Sequence, residues 1–195
     1  MSFLNYLSQP DQGLSGSRRF FLGRSGLMLS GAAVALMAGN EVLAKGQGSK
    51  SAESDVRVLN SALGAELEAV AAYQLGADSG LLKKPALDLA LTFQGQHREH
   101  AELLAKTVGK LGGKAVVAKE KYHFPTDTLK TQADVLRFAA MLEKGAVSAY
   151  LGAVPVFDNR DLAKAAASIL GDEAMHWAVL RQALGEAPVP SAFMS

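Results

Sequence analysis

Glu66-Leu67-Glu68-Ala69-Val70-Ala71-Ala72-Tyr73 returns further along the chain as Glu143-Lys144-Gly145-Ala146-Val147-Ser148-Ala149-Tyr150, with Glu, Ala, Val, Ala and Tyr at the same offsets. Each copy is followed by a histidine-bearing segment: Gln94-Gly95-Gln96-His97-Arg98-Glu99-His100 after the first, and Leu170-Gly171-Asp172-Glu173-Ala174-Met175-His176 after the second. Setting His100 against His176 also aligns Gly95 with Gly171, Leu104 with Leu180 and Gly109 with Gly185. The distance from the glutamate to the last histidine differs by one residue between the copies. Two motifs in the same order at matched spacing mark the internal duplication of a helix pair, with a carboxylate and an imidazole cluster in each half.

Working outward, helical punctuation surrounds both copies. Apolar residues at Val56, Leu59, Ala62, Leu63, Val70 and Tyr73 share one face of a helix expected over Asp55 to Ala77, with Ser54 or Asp55 as its N-cap. Gly76 and Asp78-Ser79-Gly80 end it. Pro85 suits the first turn of a second helix reaching about Gly109, with Leu87, Leu91, His97, Leu104 and Val108 on its inner side and Gly112-Gly113 as its stop. A third helix is expected over Gln132 to Val154, ahead of Pro155. A fourth, capped by Asp158 or Asn159, runs to Leu184 and closes at Gly185. Between the second and third helices, residues 114–131 lose the pattern. So long a link makes sense if it runs the length of the bundle. The expectation is an all-α antiparallel four-helix bundle over residues 55–187, with a long crossover between helices 2 and 3 and a tail over 188–195.

Composition agrees with a single small domain. The chain has 195 residues, 49% of them hydrophobic and 7% aromatic, which is enough for one core. Twenty bases against nineteen acids give no field that would recruit nucleic acid. With no cysteine, disulfides, thiolate catalysis and thiolate metal sites are all excluded.

The N-terminus reads as an address. Ser17-Arg18-Arg19-Phe20-Phe21-Leu22 precedes a short apolar run, Leu27 to Gly39, and Val42-Leu43-Ala44 supplies the small residues that signal peptidase needs. The segment resembles a twin-arginine signal peptide over residues 1–44, apart from Gly23, where a lysine is common. The apolar run is short for a membrane span, so an uncleaved anchor is the lesser alternative. The resemblance implies an exported, periplasmic protein handled by the twin-arginine translocation machinery. Residues 45–54, rich in Gly, Ser and Lys, are expected to form a flexible lead-in. Losing the leader would leave bases and acids in balance.

The duplication places chemistry in the core. Residues three apart on a helix share a face, as do His97 with His100 and Glu173 with His176. Glu66 and Glu143 occupy equivalent points on helices 1 and 3. If the halves are related by a pseudo-twofold axis, all six side chains point to one place at mid-bundle. Carboxylates in an apolar core are costly unless paired or bound to metal. Imidazole with carboxylate suits iron, manganese or zinc better than calcium or magnesium.

The repeated glutamate followed by Glu-x-x-His resembles the ferritin-like superfamily of di-metal carboxylate proteins, which includes rubrerythrins and bacterioferritins. The likeness covers about Asp55 to Gly185. By that resemblance Glu66 and Glu143 match terminal carboxylate ligands, Glu173 and His176 match one Glu-x-x-His pair, and His100 matches the histidine of the other. His97 departs from the pattern, because the family carries there a glutamate that usually bridges two metals. A mononuclear site, a hydroxide-bridged pair and a degenerate site all remain open. Glu99, about 100° around the helix from His100, is expected to face away. The implied cofactor is non-haem iron or manganese, mono- or dinuclear, or else zinc, held by Glu66, His97, His100, Glu143, Glu173 and His176. The implied activity is metal oxidation or reaction with dioxygen or peroxide. The alternative is a non-catalytic envelope stress or interaction bundle with a degenerate or structural metal site, and a homodimer is compatible with either.

Tyr73 and Tyr150 are expected to pack with a buried hydroxyl bond rather than to relay electrons. Glu68 and Glu102 are expected to be solvated, Trp177 to pack on the crossover or a neighbouring helix, and His123 has no assignable partner. Gly95 and Gly171 are expected to allow close helix approach or to accommodate a ligand.

Overall fold

The computed structural model describes residues 47–194. The leader expected over residues 1–44 lies outside the described residues. Four helices follow in order: α1 (Gln47–Asp78), α2 (Ala86–Lys110), α3 (Gln132–Ala153) and α4 (Arg160–Ala183), with a 3₁₀ turn over Val154–Val156. No strand occurs among the described residues, so the all-α bundle stands as expected. None of these helices is long and apolar enough to cross a membrane.

α1 packs most closely on α2, and α3 on α4, so each duplicated unit is a helical hairpin. The crossover starts beside the N-terminal part of α1, where the Asn60 side chain donates to the Lys114 carbonyl (3.0 Å) and accepts from the Val116 amide (2.9 Å). Gly113 lies so close to α1 that a Cβ there would meet Val56 Cγ1 at 2.6 Å. The crossover arrives at α3 near the other end of α1, where Gly76 faces Val135. It therefore runs the length of the bundle, as residues 114–131 led us to expect. A capping box starts α3: Thr131 accepts from the Asp134 amide, and the Asp134 carboxylate accepts from the Thr131 amide. Both hairpins end alike. Gly112 (φ 77°) and Gly185 (φ 76°) take the left-handed conformation after α2 and α4, and the next amides, of Gly113 and Glu186, reach back to the carbonyls of Val108 and Arg181.

Three local expectations change. α1 begins at Gln47, so residues 47–54, read as a flexible lead-in, are helical. Asp55 is consequently inside the helix and does not cap it. It is buried, and its carboxylate accepts from the amides of Asp158 (3.1 Å) and Asn159 (3.2 Å), tying α1 to the α3–α4 connection. The Asn159 side chain caps α4 through the Asp161 amide. Leu91 faces solvent, 46% exposed. Counting back from the buried His97 by one and two turns reaches Phe93 and Ala90, which are the inner residues of that part of α2.

The apolar core has two parts. One gathers Leu59, Leu63, Leu104, Val108, Tyr150 and Ile169, and the other Tyr73, Phe93, Leu136, Trp177 and Leu180. Trp177 thus packs among neighbouring helices, with the Arg181 guanidinium 5.2 Å from its ring centroid. Both parts draw on all four helices, so polar side chains at mid-bundle are enclosed by apolar neighbours.

Candidate metal centre

Each hairpin delivers three of the expected side chains to one place. α1 and α2 bring Glu66, His97 and His100; α3 and α4 bring Glu143, Glu173 and His176. Five of the six are at most 2% exposed, and the His100 side chain is 14% exposed. Their donor atoms form two overlapping groups: Glu66, His97, His100 and Glu173, and His97, Glu143, Glu173 and His176. In each group the donor atoms all lie within 4.8 Å of one another, a spacing that can hold a metal ion. His97 and Glu173, equivalent positions in the duplication, belong to both groups.

The atoms left without a hydrogen bond are informative. Glu173 Oε1 and Oε2, His100 Nδ1 and His176 Nδ1 are buried and accept or donate no hydrogen bond. His100 Nδ1 lies 3.1 Å from Glu173 Oε1, and His176 Nδ1 lies 3.6 Å from Glu173 Oε2. Buried polar atoms are nearly always satisfied, so orphans converging in pairs fit the demands of a cation between them.

The opposite edges of those rings are held from behind. Asp172 Oδ2 lies 3.3 Å from His100 Nε2 and 3.4 Å from His176 Nε2, and Gln96 Oε1 lies 2.8 Å from His176 Nε2. A carboxylate or amide oxygen at Nε2 keeps the proton there and frees Nδ1 to coordinate. Phe93 stacks on the His176 ring at 4.0 Å between centroids. Sequence reading missed Asp172 and Gln96. The available signal was their register, since each immediately precedes a cluster residue, Glu173 and His97, in the matched segments.

The tyrosines exchange partners between halves. Tyr73 on α1 donates its hydroxyl to Glu143 Oε1 on α3, and Tyr150 on α3 donates to Glu66 Oε1 on α1 at 2.5 Å. Both are buried, with the hydroxyl bond expected of them. Among the remaining expectations, Glu99 and Glu102 are exposed, Glu68 is half-buried outside the cluster, and His123 is exposed on the crossover. A Cβ at Gly95 or Gly171 would meet nothing within 4 Å, so neither glycine serves close helix approach.

Without an ion the six groups neutralise one another. Burial pulls the His97 imidazolium down, but Glu143 (3.2 Å) and Glu66 (2.8 Å) outweigh it and hold its pKa at about 11, against 6.5 for a free histidine. Burial likewise opposes charge on His100 and His176; Glu173 with Glu66, and Glu143 with Glu173, raise them to about 9. Burial pushes Glu66 and Glu143 up, yet hydrogen bonds with the histidines bring both below the usual range. Glu173 goes the other way: burial raises it, and Glu143 beside it adds to the rise. Burial first, then the facing carboxylate, keeps both tyrosines protonated.

The family profile described as the ferritin-like domain matches residues 54–186, about the whole bundle. The chain belongs to that family. A ferritin-like assignment accords with the short loop, long crossover, short loop connectivity and with a metal-type cluster at mid-bundle. The crystal structure of a conserved hypothetical protein from Mycobacterium tuberculosis is similar to this ferritin-like chain, with a TM-score of 0.64 and 23% identity, over 73% of this chain and 99% of that one. At that identity the likeness bears on the fold alone. No curated protein matches the chain.

Proposed function

We propose that this is an exported ferritin-like metalloprotein whose ligands are Glu66, His97, His100, Glu143, Glu173 and His176, holding non-haem iron or manganese, with zinc as the redox-silent alternative. The observation that carries the reading is the convergence of Glu173 Oε1 and Oε2, His100 Nδ1 and His176 Nδ1, all buried and none hydrogen-bonded, on one place at mid-bundle. Bound iron or manganese would supply redox chemistry toward dioxygen or peroxide. The chain's own residues prepare for it. Tyr73 and Tyr150 orient the two terminal carboxylates, and Asp172 and Gln96 set the histidine tautomers. The apolar layers exclude bulk water, and the partly exposed side chains of His100 and Asp172 (14% and 23%) mark the side from which a small reactant arrives.

Metal analysis after reconstitution tests the reading. We expect stoichiometric metal in the parent protein and a reduced content in Glu143→Ala/His176→Ala, which removes two ligands of one donor group; near-zero metal in the parent, or an unchanged content in the variant, would defeat it. Export rests on Ser17-Arg18-Arg19-Phe20-Phe21-Leu22 and the Val42-Leu43-Ala44 site. Arg18→Lys/Arg19→Lys should strand the protein in the cytoplasm, and unchanged export would remove the twin-arginine route.

One observation favours a second reading, a metal-free interaction bundle of the cell envelope. His97 as an imidazolium already satisfies Glu66 and Glu143. Chelation separates the two. A metalloprotein should lose several degrees of melting temperature, since ligand at a hundred times its Kd stabilises the native state by about 2.7 kcal/mol. The metal-free bundle should not respond.

A further inference from the structure

The three histidines are not alike. His100 and His176 turn Nε2 outward to Asp172 and Gln96 and keep only Nδ1 for the cluster. Both nitrogens of His97 are inside it: Nδ1 is 2.8 Å from Glu66 Oε2 and 3.5 Å from Glu173 Oε1, and Nε2 is 3.2 Å from Glu143 Oε1. The two nitrogens therefore face different carboxylates, one from each of the overlapping donor groups. Glu173, the equivalent residue of the other half, is divided the same way, with Oε1 toward His100 and Oε2 toward His176.

We propose that His97 ligates two ions at once, Nδ1 serving the group of Glu66 and His100 and Nε2 the group of Glu143 and His176, so that the centre is dinuclear and bridged by an imidazole ring opposite the Glu173 carboxylate. Replacing a glutamate by histidine at this position then keeps a two-ended donor and exchanges oxygen for nitrogen. With an ion on each nitrogen the ring has released its N–H protons to solvent and binds as the imidazolate. The proposal rests on the metal-binding reading above and narrows it. A nitrogen bridge favours divalent ions that bind imidazole strongly, such as zinc, cobalt or copper, over manganese.

Native mass spectrometry of the full chain loaded with Zn(II) should count two ions per chain. Magnetic resonance on protein with isotope-labelled histidine rings, loaded with spin-active Cd(II), should show one ring coupled to metal at both nitrogens. That doubly coupled ring should vanish in His97→Gln. Circular dichroism verifies that the variant folds; His97→Glu, which copies Glu173, gives a second route, retaining two ions while losing the doubly coupled ring. One ion per chain, two ions with no doubly coupled ring, or a doubly coupled ring that persists in the variants would each overturn the bridge while leaving metal binding intact. Absence of any bound ion would overturn the metal reading itself, and the bridge with it.

Discussion

The two hairpins carry the same helices, the same terminal glutamates and the same exchanged tyrosines, yet they differ where they meet. The α3–α4 hairpin places Glu173 at the centre and Asp172 behind it, whereas the α1–α2 hairpin places His97 and Gln96 at the equivalent positions. The second half thus supplies more negative charge, and the first replaces it with a ring that becomes cationic when no ion is present. The peripheral ligands are shared by both halves; the asymmetry is confined to the seam. That concentrates any difference in metal preference on two adjacent positions of α2 and α4.

The largest break in the comparison should come from Glu173, whose two oxygens face both donor groups. Glu173→Ala should remove metal binding altogether. Glu66→Ala or Glu143→Ala, each belonging to one group, should reduce the metal content and spare the other group. Elemental analysis after reconstitution checks this, and equal losses from all three variants would mean that the halves do not form separable groups.

Acidity should distinguish the metal-free from the loaded protein. His97, His100 and His176 have folded-state pKa values raised to about 11, 9 and 9 from 6.5, so the native state holds more protons than the unfolded chain. Their stabilisation is complete below about 6.5 and is lost as pH rises through 9 and then 11. Glu66 and Glu143 are lowered from 4.5, so their contribution is present above that value and disappears as pH falls below it; Glu173, raised, acts in the opposite direction but is one group against two. Metal-free protein should therefore be most stable between about 4.5 and 6.5, with denaturation midpoints falling on either side. Metal binding displaces protons, so the gain in midpoint on loading should grow across the same rise in pH. A flat profile for metal-free protein would show that the histidines are not paired with the glutamates.

Behind the ligands, Asp172 reaches both terminal histidines and Gln96 only one. Asp172→Ala should weaken metal affinity about 10–100-fold, the usual cost of removing such a support. Gln96→Ala removes one neutral hydrogen bond and should cost about threefold to tenfold. Equal effects would place the two residues on the same footing despite their different charge.

The duplication made the bundle and its six central residues legible because both depend on position along a helix, and helical period translates position into direction. The long crossover was readable for a related reason: a patternless stretch between two periodic ones has to connect distant helix ends. What escaped depends on which helix faces which. Asp55 looks like a cap for its own helix, and only the folded chain shows it serving the α3–α4 connection. Tyr73 is expected to bury a hydroxyl bond, but only the folded chain names its acceptor, Glu143 across the bundle. Asp172 reads as an ordinary helical acid until both histidines turn their Nε2 toward it. Residues 47–54 show no apolar stripe, and their helix is an upstream continuation of the one whose packed face begins near Asp55.

The exchanged tyrosines give the finest test of the symmetry. Each hydroxyl satisfies a buried carboxylate, so Tyr73→Phe and Tyr150→Phe should each destabilise the metal-free bundle by about 1–3 kcal/mol. The costs should not be equal. Glu143 Oε1 also has His97 Nε2 at 3.2 Å and His176 Nδ1 at 3.5 Å, and keeps both when Tyr73 loses its hydroxyl. Glu66 directs Oε2 to His97 and His100, whereas Oε1 accepts from Tyr150. Removing that donor exposes a carboxylate oxygen to a dry, apolar surrounding, so Tyr150→Phe should be the costlier change by about 1 kcal/mol. Denaturant melts of the two metal-free variants measure the difference directly. A larger loss for Tyr73→Phe would mean that His97 sides with Glu66 in the resting protein, leaving Glu143 the more dependent on its tyrosine.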